Sequence, residues 1–251
     1  TGMPRQPVVN TAIGPVNNLT IESGMTLTTG TYGITINGSA TVNGTINGGS
    51  GILVFKGNVT GTGTVTASST NTFIGGDFIV SNFNANGGTL VLNGSANQTV
   101  NGYSANHFNN IEINKSAGTV SLGSDWIVDG NLTITNGSLF ANTSAITILG
   151  NLIRNSGSLI MGVNGLSVAG NVSYTAGSLT STGTITLNGS SGAQSVNLTG
   201  AVIQDMVVNN TSGTPTVTLN NTAAFTWNGN LTITAGTLVL ANYSQTIGGN
   251  V

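Results

Sequence analysis

Glu22, Asp77, Glu112, Asp125, Asp129 and Asp205 are all the carboxylates this chain has for chemistry. Only Asp125 and Asp129 stand close together, in the segment Ser-Asp-Trp-Ile-Val-Asp-Gly. Glycoside hydrolysis generally needs two carboxylates facing each other across the sugar. Strand alternation puts both acids on one side of that segment and Trp126 and Val128 on the other, toward a core. The pair offers a cation site or acid–base chemistry. We read it instead as two solvated carboxylates at a strand edge, because the related stretch around Phe225 and Trp227 has no acids. His107, in Ser-Ala-Asn-His-Phe-Asn-Asn, is of a residue type that could act as a base. No motif places a serine, cysteine or acid beside it, so we expect a structural role. Arg154 falls where Ile134, Tyr174 and Ile233 stand in related units. It could recognise a carboxylate ligand, but we expect a local register change that exposes it. Lys115 lies near Glu112, and nothing in the sequence points to the burial that a Lys–Asn isopeptide cross-link would require. Calcium-binding solenoids carry a regular Asp-bearing nonapeptide. No such Asp period occurs here, so neither a metal nor a cofactor is expected.

The elements that must position these residues are repeats. Gly130-Asn131-Leu132 returns as Gly150-Asn151-Leu152 and Gly170-Asn171-Val172, twenty residues apart each time. Gly229-Asn230-Leu231 returns in the same way as Gly249-Asn250-Val251, and Gly57-Asn58-Val59 and Gly76-Asp77-Phe78 are looser copies. The match continues through GNLTITNGSL, GNLIRNSGSL, GNVSYTAGSL and GNLTITAGTL, with Leu139, Leu159, Leu179 and Leu238 in one place. A longer repeat overlies this one. LVLNGSANQTV at 90–100 resembles ITLNGSSGAQSV at 185–196, and IEINKSAGTVSL resembles VVNNTSGTPTVTL. The long copies run over 89–139 and 184–238.

Within each unit apolar and polar residues alternate, as in Leu132-Thr133-Ile134-Thr135. Period two with β-branched residues means strands. Gly, Asn and Ser between the runs supply turns. No stretch has a convincing helical period. Two or three short strands per twenty residues make one coil of a β-solenoid, whose inward side chains stack from coil to coil. The predicted fold is therefore all-β, a single-stranded parallel β-solenoid with coils of about 20 residues and essentially no helix. Residues 1–251 form one continuous solenoid. Leu132, Leu152, Val172 and Leu231 are expected on one apolar ladder, with Ile134, Leu139, Leu159, Leu179 and Leu238 also inside. Asn131, Asn151, Asn171 and Asn230 are expected to form an amide ladder at a turn. An antiparallel sandwich fits less well, because its strands have different neighbours and these units are nearly identical.

Composition narrows the function. Only 4% of the 251 residues are charged and 38 are glycine, yet 38% are hydrophobic. That is apolar enough to offset the entropy of ordering the chain. The four basic residues, Arg5, Lys56, Lys115 and Arg154, are scattered, so no nucleic-acid partner is expected. Cysteine is absent, so no disulfide contributes. No apolar run reaches the roughly 20 residues of a membrane span, so no membrane insertion is expected in this segment. The opening residues TGMPRQPVV lack a signal-peptide pattern. The chain stops inside a fresh Gly-Asn-Val. We expect it to be a processed form or a piece of a longer array.

The Gly-Asn-Leu-Thr-Ile-Thr-x-Gly-Ser/Thr-Leu units and the recurring Asn-Gly-Ser…Gln-(Thr/Ser)-Val element resemble repeats of very large secreted bacterial surface proteins. Filamentous-haemagglutinin-like and autotransporter-like adhesins are among these. The resemblance covers nearly the whole chain. It implies a β-solenoid and an extracellular or cell-surface location.

The expected function is a structural or adhesive extracellular rod, fibre or surface-layer element. Its partners would be other copies of itself, associated laterally or end to end, and surface polysaccharide. One alternative is an ice-binding or glycan-binding solenoid, since Thr-x-Thr pairs are frequent. An ice-binding face needs threonines in register over many coils. Twenty-residue stacking puts Ile153 and Asn155 over Thr133 and Thr135, which breaks the array. The last alternative is a polysaccharide-active enzyme, against which the absence of a convergent acid–base motif counts. No enzymatic activity is expected.

Overall fold

The computed structural model describes residues 7–103, 105 and 107–251. Arg5 lies outside them. The described residues contain no helix, and twenty-eight strands wind into a parallel β-solenoid of about 11 turns. The cross-section has three faces. In one coil Trp126–Val128 lies on the first face, and Leu132–Phe140 runs along the second and bends onto the third. The next coil repeats this with Ile146–Ile148, Leu152–Arg154 and Ser158–Met161. Leu166–Val168, Val172–Tyr174 and Ser178–Ser181 follow.

The register is set by which side chains must be buried. A slip by one residue would turn every Leu and Ile outward and every Thr and Ser inward. Leu132, Leu152 and Val172 therefore stand over one another on the second face. Leu139, Leu159 and Leu179 do so on the third, and Ile146, Leu166 and Ile185 on the first. All nine are buried. Each such side chain contributes about 1.5–3 kcal/mol by leaving water.

The corners hold the small and left-handed residues. Gly137, Gly157 and Gly177 stack where the second face meets the third, each with φ between 71° and 89°. A Cβ on Gly157 would overlap the carbonyl oxygen of Gly137. Only glycine meets both demands there.

An aromatic cluster fills the interior where the chain runs from Phe78 to Trp126. Phe78, Phe83, Tyr103, Phe108 and Trp126 form a chain of ring contacts 5.4–6.3 Å between centroids. The Trp126 indole N–H donates to the Val100 carbonyl, so its polar atom is satisfied. The Tyr103 hydroxyl meets only the Val80 backbone, outside full hydrogen-bond geometry. Burial holds its pKa far above the usual phenol range.

Two placements differ from the ladder expected from sequence. Leu231 does not continue the Leu132 ladder. It pairs with Met206 on the first face, in the sheet that contains Ile146 and Leu166. Leu238 likewise stands over Val217 on the second face, not over Leu179 on the third, and it is only partly buried. The reason is geometric. The long repeat does not span a whole number of turns, so its second copy is set one face away from the first. A residue's place in the sequence unit therefore does not fix which side of the rod it faces.

Candidate functional site

Two titratable side chains come together on the first face. Phe108 bridges to Val128, which brings His107 and Asp129 side by side on neighbouring coils of the first face. His107 Nδ1 stands 2.7 Å from Asp129 Oδ1. The imidazole is 32% exposed and the carboxylate 51%. This is the one ion pair among the described residues. With Asn84, Gly87 and Asn109 it lines an open groove of about 320 Å³. The pairing was invisible in the sequence because the acid lies one coil further along. The signal that could have found it is the coil length itself.

Asp125 does not join this pair. It and Asp129 are both exposed while Trp126 and Val128 are buried. The Asp125 carboxylate accepts the Ala145 N–H at 2.8 Å instead. Asp77 and Asp205 act in the same way on Thr99 and Asn230, each at 2.7 Å. Glu112 accepts the Thr135 hydroxyl at 2.8 Å. Among the described residues no second carboxylate lines the His107 groove, and no cluster of three or more metal-ligating side chains occurs. The groove lacks the facing acid that glycoside hydrolysis generally requires.

The predicted turn amides form a hydrogen-bonded column. Asn110 Oδ1 accepts from the Asn131 backbone N–H, Asn131 from Asn151, Asn151 from Asn171, and Asn171 from Ser195, at 2.8–2.9 Å. Each side chain thus satisfies the first N–H of the following coil, where the strand ladder cannot reach. Asn230 stands at a different corner, between Asp205 below and the Asn250 N–H above. It belongs to a second column, for the same reason that displaces Leu231.

Lys115 is buried, contrary to the sequence reading. Alternation continues from Ile111 and Ile113 to Lys115, which puts its side chain on the inward side of the strand. The ammonium donates to Gly94 O at 2.6 Å, Ala96 O at 2.8 Å and Gln98 Oε1 at 2.6 Å. Three N–H groups meet three oxygens. Burial pushes the Lys115 pKa below its ordinary value. Gln98 in turn donates to Ile74 O and Gly76 O. The second copy builds the same clip with other atoms. Gln194 donates to Val168 O and Gly170 O, and Asn210 takes the place of Lys115, donating to Gly192 O and Gln194 Oε1. The repeated Asn-Gly-Ser…Gln element is therefore a buried amide clip across three successive coils. An isopeptide at Lys115 finds no support in this geometry. Its only amide side-chain partner is Gln98, and no carboxylate is among its partners.

Arg154 is also buried, at 1% exposure, where a register change was expected to expose it. The register is unbroken, since Arg154 pairs with Ile134 and Tyr174. Its guanidinium carbon lies 4.8 Å from the Tyr174 ring centre. Nη2 reaches forward to Asn197 O at 3.0 Å, while Nε and Nη1 have no partner. Desolvation lowers its pKa to about 10. The long side chain fills an inward position by running along the axis, which alternation alone does not foresee.

These side chains cap coils, clip coils and fill the interior, and among the described residues the His107–Asp129 groove is where two oppositely charged types of side chain meet at the surface. No family model, no curated protein and no solved structure matches this chain.

Proposed function

We propose that this chain is a stiff shaft of an extracellular structural or adhesive protein, and that it associates with copies of itself. The observation that carries the proposal is the exterior of the rod. Lys115 and Arg154 are withdrawn into the interior, which leaves Lys56 as the one exposed Lys or Arg among the described residues. The outside is mostly Thr, Ser, Asn and Gly repeated at a fixed coil spacing of about 4.8 Å. Charge repulsion between parallel rods is weak, and any favourable contact recurs along their length. Each contact contributes under about 1 kcal/mol net, and a dozen in register exceed the cost of association. The resemblance to adhesin repeats supports the same reading, including a location outside the cell.

Light scattering across a hundredfold concentration range, paired with negative-stain electron microscopy, tests it. Growth in mass with concentration and rods aligned side to side or end to end are expected. A monomer at every concentration would leave a stalk without self-association.

The His107–Asp129 groove favours a second reading, a polysaccharide contact on the first face. Glycan binding lost in His107→Ala and retained in Asp125→Asn would support it.

A further inference from the structure

The first face carries, in the four coils that follow exposed Val8, an array that twenty-residue spacing hides. Thr26 pairs with Thr45, Thr45 with Thr64, and Thr64 with Asn82. Two residues along each strand, Thr28 pairs with Asn47, Asn47 with Thr66, and Thr66 with Asn84. The coils here are nineteen, nineteen and eighteen residues long, so a search at twenty passes over the alignment. All eight side chains point outward, for the residues between them, Leu27, Ile46, Val65 and Phe83, are buried. The result is two parallel columns of hydroxyl and amide groups. Their spacing is about 4.8 Å along the rod and about 6.6 Å along the strand.

Three further features separate this patch from an ordinary polar surface. Among the described residues no partner ties the hydroxyls of Thr28, Thr45, Thr64 and Thr66, whereas Thr62, Thr119 and Thr135 elsewhere are tied to Asn43, Asn97 and Glu112. No charged group stands in either column. The backing side chains are 0–6% exposed and interlocked with the coils above and below, so the sheet beneath the array is rigid.

We propose that this array is an ice-binding surface. Its ligand is a crystal plane of water, a flat solid with oxygens at regular spacings near those of the two columns. A charge-free array of hydroxyl and amide groups beside threonine methyls, with the Thr28, Thr45, Thr64 and Thr66 hydroxyls turned to solvent, can hold water in ordered positions and merge it with the crystal. The entropy of ordering the groups is already met by the fold. Small-molecule sites are concave and lined with aromatic groups, and this surface is neither. Past Asn82 and Asn84 the same face carries His107 and Ile127, on either side of the Phe108–Val128 bridge. Further along, the same face carries Leu149, Ala169 and Val207 among its outward positions, which gives a comparison region within one molecule. The inference is independent of rod association.

The test uses the whole chain. Thermal hysteresis and ice-crystal shaping are measured for the wild type, Thr45→Tyr, Thr64→Tyr and Thr147→Tyr, with far-UV melting in parallel to show that each is folded. Activity in the wild type, lost in Thr45→Tyr and Thr64→Tyr but kept in Thr147→Tyr, is expected. A folded wild type that neither shapes ice nor lowers its freezing point overturns the proposal. So does activity that survives both array substitutions. Partition onto crystalline chitin or cellulose without any effect on ice also overturns it, as does association of copies through this face with no effect on ice.

Discussion

Arg154 and Lys115 show two ways of placing a cation in the interior of a β-solenoid. Lys115 is fully coordinated, so its charge is compensated by three oxygens. Arg154 has one nitrogen bonded and two without partners, and no acid faces it. A buried charge without a counter-ion costs stability, and a well-packed apolar residue in its place is often better. Arg154→Met is therefore expected to raise stability by about 1–2 kcal/mol in urea unfolding. A loss instead would mean that the contacts with Tyr174 and Asn197 outweigh desolvation. Lys115→Asn copies the arrangement at Asn210 and is expected to be tolerated. Lys115→Ala strands Gln98 Oε1 and two carbonyls and is expected to cost about 1–3 kcal/mol. Equal stability of these two variants would show that the clip contributes nothing. Tyr103 supplies a pH signature. Its folded pKa is raised, so its contribution is fully present below pH 10 and is lost as pH climbs toward the folded value, because only the unfolded chain ionises in that window. Denaturation midpoints from pH 9 to 11 are expected to fall more steeply for the wild type than for Tyr103→Phe.

Elements in this fold are stabilised across coils and hardly at all along the chain. A strand of three residues such as Leu152–Arg154 has no stability of its own. It exists because Leu132 and Val172 hold it from both sides. Substituting a ladder residue therefore affects three coils together. Leu159 lies at 0% exposure between Leu139 and Leu179. Leu159→Asp places an unpaired charge there and is expected to cost several kcal/mol, enough to abolish the cooperative melt or lower it sharply. A melt at the wild-type temperature would show that Leu159 is not inside. The asparagine columns play the complementary part at the corners, where each side chain takes the place of a missing strand neighbour.

At the scale of the whole molecule the exterior is defined by lost charge. Two of the three basic side chains among the described residues are internal, and three of the acids cap backbone N–H groups. Long-range electrostatics therefore contributes little to any contact between rods. Association is expected to change little between 20 mM and 500 mM salt, a range over which the screening length of exposed charges falls severalfold. Dissociation on adding salt, read by light scattering, would show that the few exposed carboxylates and Lys56 carry the contact after all.

Period-two alternation, corner residues and near-identical units were sufficient to read the solenoid, its coil length and the burial of residues such as Leu132, Ile134 and Trp126. These are local properties. A strand's inward and outward sides follow from its own few residues, and a corner from its own glycine or asparagine. What sits beside what across coils is not local, because each corner adds or removes a residue and the changes accumulate along the chain. That running phase moved Leu231, Leu238 and Asn230 to other faces and corners than their sequence units suggested. It also brought Asp129 beside His107 and set Thr26, Thr45 and Thr64 in one column. Burial of Lys115 and Arg154 was likewise decided only in three dimensions, because a long cationic side chain becomes an interior residue when carbonyl oxygens of other coils lie within its reach.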